Sequence, residues 1–265
     1  MLLFFLLTFL LAWACWIPVA RGIPVGSPLG VFLALLGTFA PSLIAISLTA
    51  RARGNPGVRE LFARIVRGPI PASGVVIALT YMLAIKLTAA LVHRLAFAAW
   101  PRFETRELLV IPFAIAISTL TQAGEELGWR GYALPRMADR MGLAGASVLL
   151  GMVWGVWHLP LFYVRGADTF HQSFLPYALG TTALSVAIAW LDTRSRGGLL
   201  LPMLLHAAIN NTKDIVPSRL AEPPGVFSLA ASRIAWLTTA LLWVGAIAIL
   251  VWMVRTERQR AAREA

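Results

Sequence analysis

The chain has 265 residues, of which 58% are hydrophobic and only 13% are charged, and its mean hydropathy is +0.75. Soluble domains carry about 45–50% apolar and about 25% charged residues, so this composition excludes an ordinary soluble protein and indicates a polytopic membrane protein. The net charge is +11, but the basic residues fall in short groups between apolar runs. That distribution is typical of charges that set membrane topology, and it argues against nucleic-acid binding.

Apolar runs predict an all-α fold of about eight transmembrane helices in a single membrane domain, residues 1–265. In chain order the runs cover residues 1–20, 29–50, 73–100, 109–130, 142–163, 174–191, 199–211 and 229–254. Apart from the seventh, they have about the 17–25 residues that a bilayer crossing requires. The seventh run is short enough to lie buried among its neighbours, as a helix that carries a site would. Pro41 predicts a kink in the second helix.

A basic segment, residues 51–71, separates the second and third runs. It contains the arginines Arg51, Arg53, Arg59, Arg64 and Arg67. Apolar residues recur between these arginines at helical spacing, which is typical of an amphipathic helix on the membrane surface. Two interpretations stay open: a helix that contacts substrate or lipid, or a basic connection that fixes the topology.

Basic residues are divided unequally between the two sides of the predicted bundle. One side, with the C-terminal tail, holds thirteen: Arg51, Arg53, Arg59, Arg64, Arg67, Arg136, Arg140, Arg194, Arg196, Arg255, Arg258, Arg260 and Arg263. The other side holds eight: Arg21, Arg94, Arg102, Arg106, Arg165, Lys213, Arg219 and Arg233. Because cytoplasmic loops carry the excess, we expect both termini in the cytoplasm. Few lysines and many alanines indicate a bacterial source, so the expected location is a bacterial cell membrane.

Two carboxylates and an arginine stand at the end of the fourth run, in the sequence QAGEELGWRG at residues 122–131. Ionisable groups at that depth cost roughly 2.5–3.5 kcal/mol each on insertion scales, so they need a partner or a function. On a helix, Glu126 and Arg130 are four residues apart, in the order that favours an ion pair. Glu125 lies about 100° further round the helix and has no such local partner. It is therefore left free for chemistry.

Two more polar pairs interrupt the later runs. Trp154 and His158 are four residues apart, as are His206 and Asn210, so each pair shares one face of its helix. Pro202, four residues before His206, is expected to loosen that helix. Each pair alone has an ordinary explanation, such as a histidine bonded to a neighbouring carbonyl or a tryptophan that anchors a helix at the interface. Together with the two glutamates, they indicate one site built from three spans.

These side chains match the needs of amide hydrolysis by an activated water. A carboxylate or an imidazole can act as general base towards the water, and a second histidine with an asparagine amide can stabilise an oxyanion. Alternatively, Glu125, His158 and His206 could bind Zn²⁺, because two histidines and a carboxylate form a known catalytic ligand set. The HExxH spacing is absent, so the spacing leaves both metal-bound and metal-free water open.

The three motifs are EELGWRGY at 125–132, WGVWHLP at 154–160 and HAAINN at 206–211. In this order they resemble the CPBP family of intramembrane proteases, which includes the type II CAAX prenyl endopeptidases and bacteriocin-processing enzymes. The resemblance covers residues 111–211, the expected catalytic core. Trp154 replaces the phenylalanine usual in the second motif.

The resemblance implies an eight-helix protease whose site opens towards the cytoplasm. It implies six site residues: Glu125, Glu126, Arg130, His158, His206 and Asn210. Glu125 and His158 would activate the water, and His206 and Asn210 would stabilise the oxyanion. Glu126 and Arg130 would orient the site. Members of the family are commonly treated as metalloproteases, although a metal-free glutamate mechanism has also been argued.

We therefore expect the protein to be an intramembrane endopeptidase. Its expected partners are a peptide or protein substrate and the lipid bilayer. Two other classes stay open: a non-catalytic bacteriocin-immunity or partner-binding protein, and a proton- or ion-coupled transporter. A transporter would more often have two related halves with paired broken helices, and the sequence has no such symmetry. The sequence indicates neither the substrate nor the oligomeric state.

Overall fold

The computed structural model describes residues 1–104, 108–170, 172–222 and 225–264, and the regular elements within them are helices. The α-helices are α1 (Leu2–Ala20), α2 (Pro28–Ala63), α3 (Ala72–Phe97), α4 (Ile111–Thr121), α5 (Ala123–Glu126), α6 (Leu134–Trp157), α7 (Phe174–Arg194), α8 (Leu200–Thr212) and α9 (Arg233–Glu264). A π-helical turn, Leu127–Ala133, joins α5 to α6, and 3₁₀ turns follow α6 and α8 at Leu159–Tyr163 and Lys213–Ile215.

Six helical runs in the described residues are long and apolar enough to cross a membrane. One of them, Ile111–Tyr163, has 53 residues. It would be about 80 Å long as one straight helix, against a hydrocarbon core of about 30 Å, so it has to cross twice. Its turning point is Gly142, whose φ of 74° breaks the helix inside α6. The expectation of an all-α, polytopic membrane protein is confirmed.

The second helix breaks at a different place from the one expected. Helical dihedral angles continue through Pro41, and the break comes at Gly54, whose φ of 62° suits glycine. The kink expected at Pro41 stays a prediction, since a proline can bend a helix whose dihedral angles remain helical. The helix resumes after Gly54 and runs to Ala63, and its Leu61 is buried against the bundle. This agrees with an amphipathic helix in the basic segment.

One end of the bundle collects the arginine-rich connections, and we call it the arginine-rich face: residues 51–71, 131–142 and 195–199 and the C-terminal end of α9. Arg64 ties these parts together, because its guanidinium donates to the carbonyl oxygens of Gly131 at 2.6 Å and Gly197 at 2.8 Å. The amide of Leu143 donates to the Glu257 carboxylate at 2.6 Å. The opposite face holds the described parts of the other connections: 21–27, 98–104, 108–110, 158–170, 172–173, 213–222 and 225–232.

Small residues bring the helices of the first and second motifs close to their neighbours. An added Cβ at Gly128 would lie 2.4 Å from the carbonyl carbon of Pro41 in α2, and one at Gly151 would lie 2.6 Å from the Cα of Thr182 in α7. Neither backbone could accept a side chain at that distance, so both glycines are needed for close packing. The first contact fixes the turn that follows the two glutamates.

Candidate active site

The two glutamates stand where a regular helix gives way to a π-helical turn. The helix α4 ends at Thr121, α5 is a single turn that carries Glu125 and Glu126, and the π-helical turn carries Arg130. All three ionisable side chains are buried, with Glu126 and Arg130 fully so. π-helical turns recur at functional sites because they redirect side chains inside a helix. The predicted fourth span is therefore three short elements rather than one helix.

One oxygen of Glu126 joins two helices. Its Oε1 accepts from Nη1 of Arg130 at 2.9 Å and lies 2.8 Å from Nδ1 of His206 in α8. The ion pair within the motif is the one expected from the spacing of four residues. The link to His206 was not expected, because the two residues are 80 positions apart. Since a carboxylate only accepts, Nδ1 of His206 carries the hydrogen, and Nε2 faces away from Glu126.

Pro202 does not loosen the helix of His206 as expected. The helix α8 begins at Leu200, so Pro202 stands in its first turn, where the backbone N–H has no helical partner to lose. His206 is consequently held on a regular helix.

Trp154 supplies the partner that Glu125 lacks locally. Its Nε1–H donates to Oε2 of Glu125 at 2.8 Å, and its carbonyl oxygen lies 2.8 Å from Nδ1 of His158. A carbonyl oxygen only accepts, so Nδ1 of His158 carries a hydrogen and Nε2 of the neutral ring keeps a lone pair. The residue that looked like a mild departure from the family pattern therefore orients both of these side chains.

The indole ring of Trp154 also contacts two further site residues, Arg130 and His206. The guanidinium of Arg130 lies over the ring of Trp154 at 4.7 Å from its centroid, and the ring of His206 meets it edge-on at 5.1 Å. Trp154 thus contacts four of the predicted site residues. The spacing of four residues to His158 and the indole N–H were visible in the sequence, but the contact with Glu125 was not.

A cavity of about 420 Å³ opens beside these residues, a volume typical of ligand sites. Glu125, His158, His206 and Asn210 line it, and Glu126 and Arg130 lie behind this wall. Asn210 is exposed to the cavity, and its carbonyl oxygen accepts from Lys213 at 2.9 Å. The structure therefore brings all six predicted residues together, four at the cavity and two behind it.

The cavity lies in the half of the bundle away from the arginine-rich face. Its walls come from the middle of α3, the segment 121–125, the C-terminal halves of α6 and α8, and the N-terminal halves of α7 and α9. The connections 167–169, 172–173, 213–220 and 231–232 also contribute. No described residue of the arginine-rich connections lines it. Cytoplasmic termini and a site open to the cytoplasm were both expected, but they cannot hold together in this structure, because the tail and the cavity mouth are at opposite faces.

The donor arrangement does not fit the zinc site considered from the sequence. Among the described residues, no three His, Cys, Asp or Glu side chains lie close enough together to hold a metal ion. The separation of Glu125, His158 and His206 in this structure therefore does not match the ligand set of the zinc alternative.

Comparison with known proteins gives independent evidence on the family that this chain resembles. Residues 107–212 match the family model described as Rce1-like, type II CAAX prenyl endopeptidase. The resemblance expected from the three motifs is confirmed. The Rce1-like region contains all six site residues and agrees closely with the predicted core, residues 111–211.

A curated relative extends the similarity over most of the chain. It is CAAX prenyl protease 2 of Methanococcus maripaludis, 25% identical over 255 residues, covering 88% of this chain and 93% of the relative. Together, the Rce1-like match and this relative support a membrane-embedded protease.

The contact between Trp154 and Glu125 gives a first prediction. Trp154→Phe keeps an aromatic ring but removes the donor to the carboxylate. A hydrogen bond to a charged group contributes about 1.5–3 kcal/mol, so we expect kcat/KM for a cleaved peptide to fall roughly 10- to 100-fold. The measurement is hydrolysis of a quenched fluorescent peptide by purified protein.

Trp13→Phe is the matched control, because the indole of Trp13 donates to the carbonyl oxygen of Trp157 and not to a site residue. It should cleave like the wild type. Equal kcat/KM for Trp154→Phe and the wild type would mean that this hydrogen bond does not serve the reaction.

Proposed function

We propose that the protein is an intramembrane endopeptidase that hydrolyses a peptide bond with a water activated by Glu125 and His158. The observation that supports this most is the convergence of Glu125, His158, His206 and Asn210, from three separate helices, on one cavity inside the bundle. Such polar groups are costly in a membrane, and their arrangement matches the requirements of acyl transfer to water.

The first step is attack of water on the carbonyl carbon of the scissile bond. Glu125 accepts a proton from the water as the new C–O bond forms, with Nε2 of His158 as a second acceptor facing the same space. The carbonyl oxygen becomes an oxyanion, to which the side-chain amide of Asn210 and Nε2–H of a protonated His206 donate. The C–N bond then breaks, and the proton held by Glu125 passes to the leaving amine.

Behind the cavity, Glu126 and Arg130 act through His206. The carboxylate fixes the ring through Nδ1, so that Nε2 faces away from Glu126. Arg130 compensates the charge of Glu126 when His206 is neutral. These two residues therefore position the oxyanion-binding group and do not touch the substrate.

No side-chain nucleophile is required by this scheme. Cys15, the one cysteine of the chain, is buried in α1 and does not line the cavity. An activated water needs only the groups already placed around the cavity. The cavity is lined by no described residue of the arginine-rich connections, which supports a site open at one face over a relay that crosses the membrane.

For orientation, we propose that both termini and the arginine-rich face lie in the cytoplasm of a bacterial cell. The thirteen-to-eight distribution of basic residues supports this, and Arg106 in that count lies outside the described residues. The cavity then opens on the outer side of the membrane. The enzyme would accordingly act on peptides that have reached that side, which replaces the earlier expectation of a cytoplasmic site.

The catalytic assignment predicts a specific loss of activity. Glu125→Gln keeps the shape of the side chain and its acceptor for Trp154 but removes the base, so we expect kcat to fall at least about 100-fold. The measurement is cleavage of a peptide library by purified variant and wild-type protein. Glu60→Gln is the matched control, because Glu60 pairs with Arg53 on the surface of the arginine-rich face. Unchanged cleavage by Glu125→Gln would rule out the mechanism.

The orientation predicts which connections can be labelled from outside the cell. In a Cys15→Ser background, Arg165→Cys places one thiol beside the cavity, and Arg59→Cys places one on the arginine-rich face. Both positions are exposed, and each change removes one arginine from its side. We expect a membrane-impermeant maleimide to label Arg165→Cys in intact cells and Arg59→Cys only after the cells are opened. The reverse pattern would place the cavity mouth in the cytoplasm.

A further inference from the structure

A second cleft, of about 330 Å³, opens on the arginine-rich face between the start of α1 and the start of α6, and we call it the α1–α6 cleft. Its lining residues are Met1, Tyr132, Arg136, Asp139 and Arg140. Among the described residues, none lines both this cleft and the catalytic cavity. The proposed hydrolysis therefore does not use the cleft, and its two arginines call for another explanation.

The arginines of the α1–α6 cleft are not neutralised by acids. The guanidinium of Arg136 lies over the ring of Tyr132, 3.8 Å from its centroid, and Nη1 donates to the Tyr132 carbonyl oxygen at 2.8 Å. These contacts orient the guanidinium and use one of its five donors. Among the described residues, no carboxylate lies within ion-pair distance of Arg136 or Arg140, although Asp139 lines the same cleft. Two positive charges against one negative charge suit an anion.

Further positive charge lies close to Arg136. Burial lowers the pKa of the Arg64 guanidinium, Asp192 and Glu60 raise it, and the charges of Arg67 and Arg136 lower it further. Because salt screens distant charges, this effect places Arg67 and Arg136 near Arg64. Asp192 lies 3.5 Å from the Arg64 guanidinium, whereas no described acid lies within ion-pair distance of Arg67 or Arg136. The surroundings of the cleft thus add to its positive charge.

The depth of the α1–α6 cleft indicates the source of the anion. Phe4 packs against Tyr132, with ring centroids 5.0 Å apart, which holds the start of α1 beside the cleft. The apolar span of α1 begins at Leu2, so the cleft lies where the hydrocarbon of the membrane gives way to the headgroups. Leu2, Leu3 and Leu6 in the first turns of this helix are exposed. A molecule with an anionic head and acyl chains can contact both the arginines and these leucines.

We propose that the α1–α6 cleft binds the phosphate of an anionic phospholipid from the leaflet on the arginine-rich face. Arg136 and Arg140 donate to the phosphate oxygens, which a guanidinium fits with two parallel N–H bonds. Basic clefts between transmembrane helices are suited to such headgroups. A lipid bound there would also hold Tyr132, and with it the π-helical turn that carries Arg130. The inference does not depend on the peptidase function, and its test needs no cleavage.

The test measures the affinity of the purified protein for fluorescent phosphatidylglycerol and phosphatidylcholine in a neutral detergent. Phosphatidylcholine carries no net charge, so the wild type should bind phosphatidylglycerol at least about tenfold more tightly. Arg136→Gln combined with Arg140→Gln should lower the affinity for phosphatidylglycerol about 30-fold, since each arginine near the headgroup contributes about fivefold.

Arg51→Gln combined with Arg59→Gln is the matched control. It removes the same charge from the same face, at two exposed positions that do not line the α1–α6 cleft. At about 0.15 M salt distant charges are screened, so the affinity of this control should change by less than about threefold. Equal losses in the two double variants would show general attraction in place of a site and would overturn the proposal. A wild type that binds both lipids equally would do the same.

Two single variants keep the test decisive if the double variant does not fold. Arg140 and Asp139 are both exposed, so each can be replaced without disturbing the core. Arg140→Gln should weaken the binding of phosphatidylglycerol about fivefold. Asp139→Asn should tighten it by about the same factor, because it removes a like charge beside the phosphate. A purely structural role of these residues predicts no such opposite effects, and unchanged affinity in both variants would contradict the proposal.

Glycerophosphoglycerol distinguishes a lipid site from a site for a soluble phosphate ester. It carries the headgroup of phosphatidylglycerol without the acyl chains, so it should not displace the fluorescent lipid at concentrations at which unlabelled phosphatidylglycerol does. Displacement by both compounds at the same concentration would assign the cleft to a soluble phosphate ester and refute the lipid assignment.

Discussion

A single carboxylate oxygen, Oε1 of Glu126, connects the two helices on which the proposed chemistry depends. It accepts from Arg130 in its own segment and from His206 in α8, and all three side chains are buried. In a low-dielectric interior such charges are tolerated only when they compensate one another. The position of His206 in the cavity wall is therefore tied to the geometry of the π-helical turn.

Around this ion pair the described helices are packed closely, and the cavity lies on the side away from the arginine-rich face. Gly128 packs directly on Pro41, and Arg64 joins the π-helical turn to the connection before α8. The bundle is closed there, and it opens where α7 and α9 begin. A closed end beneath the carboxylates keeps them out of bulk water, which strengthens every hydrogen bond that Glu125 and His206 can make to a reacting group.

Much of this site could be predicted from the sequence, because the relevant contacts are local or follow from helical periodicity. The pair of Glu126 and Arg130 follows from a spacing of four residues, and three polar pairs on separate apolar runs indicated convergence. Contacts across the bundle, such as Trp154 with Glu125, could not be predicted, since they depend on the rotation and depth of α6 relative to α5.

Glu126 and Arg130 form one compensated unit that holds the site. Thermal unfolding of purified variants in detergent tests this dependence directly. Glu126→Gln leaves the Arg130 charge buried without its acid, so the free energy of unfolding should fall by about 3–5 kcal/mol. The double variant Glu126→Gln with Arg130→Met removes both charges and should recover most of that loss. If the free energy of unfolding of the double variant instead falls below that of the wild type by the sum of the two single losses, Glu126 and Arg130 do not form one unit.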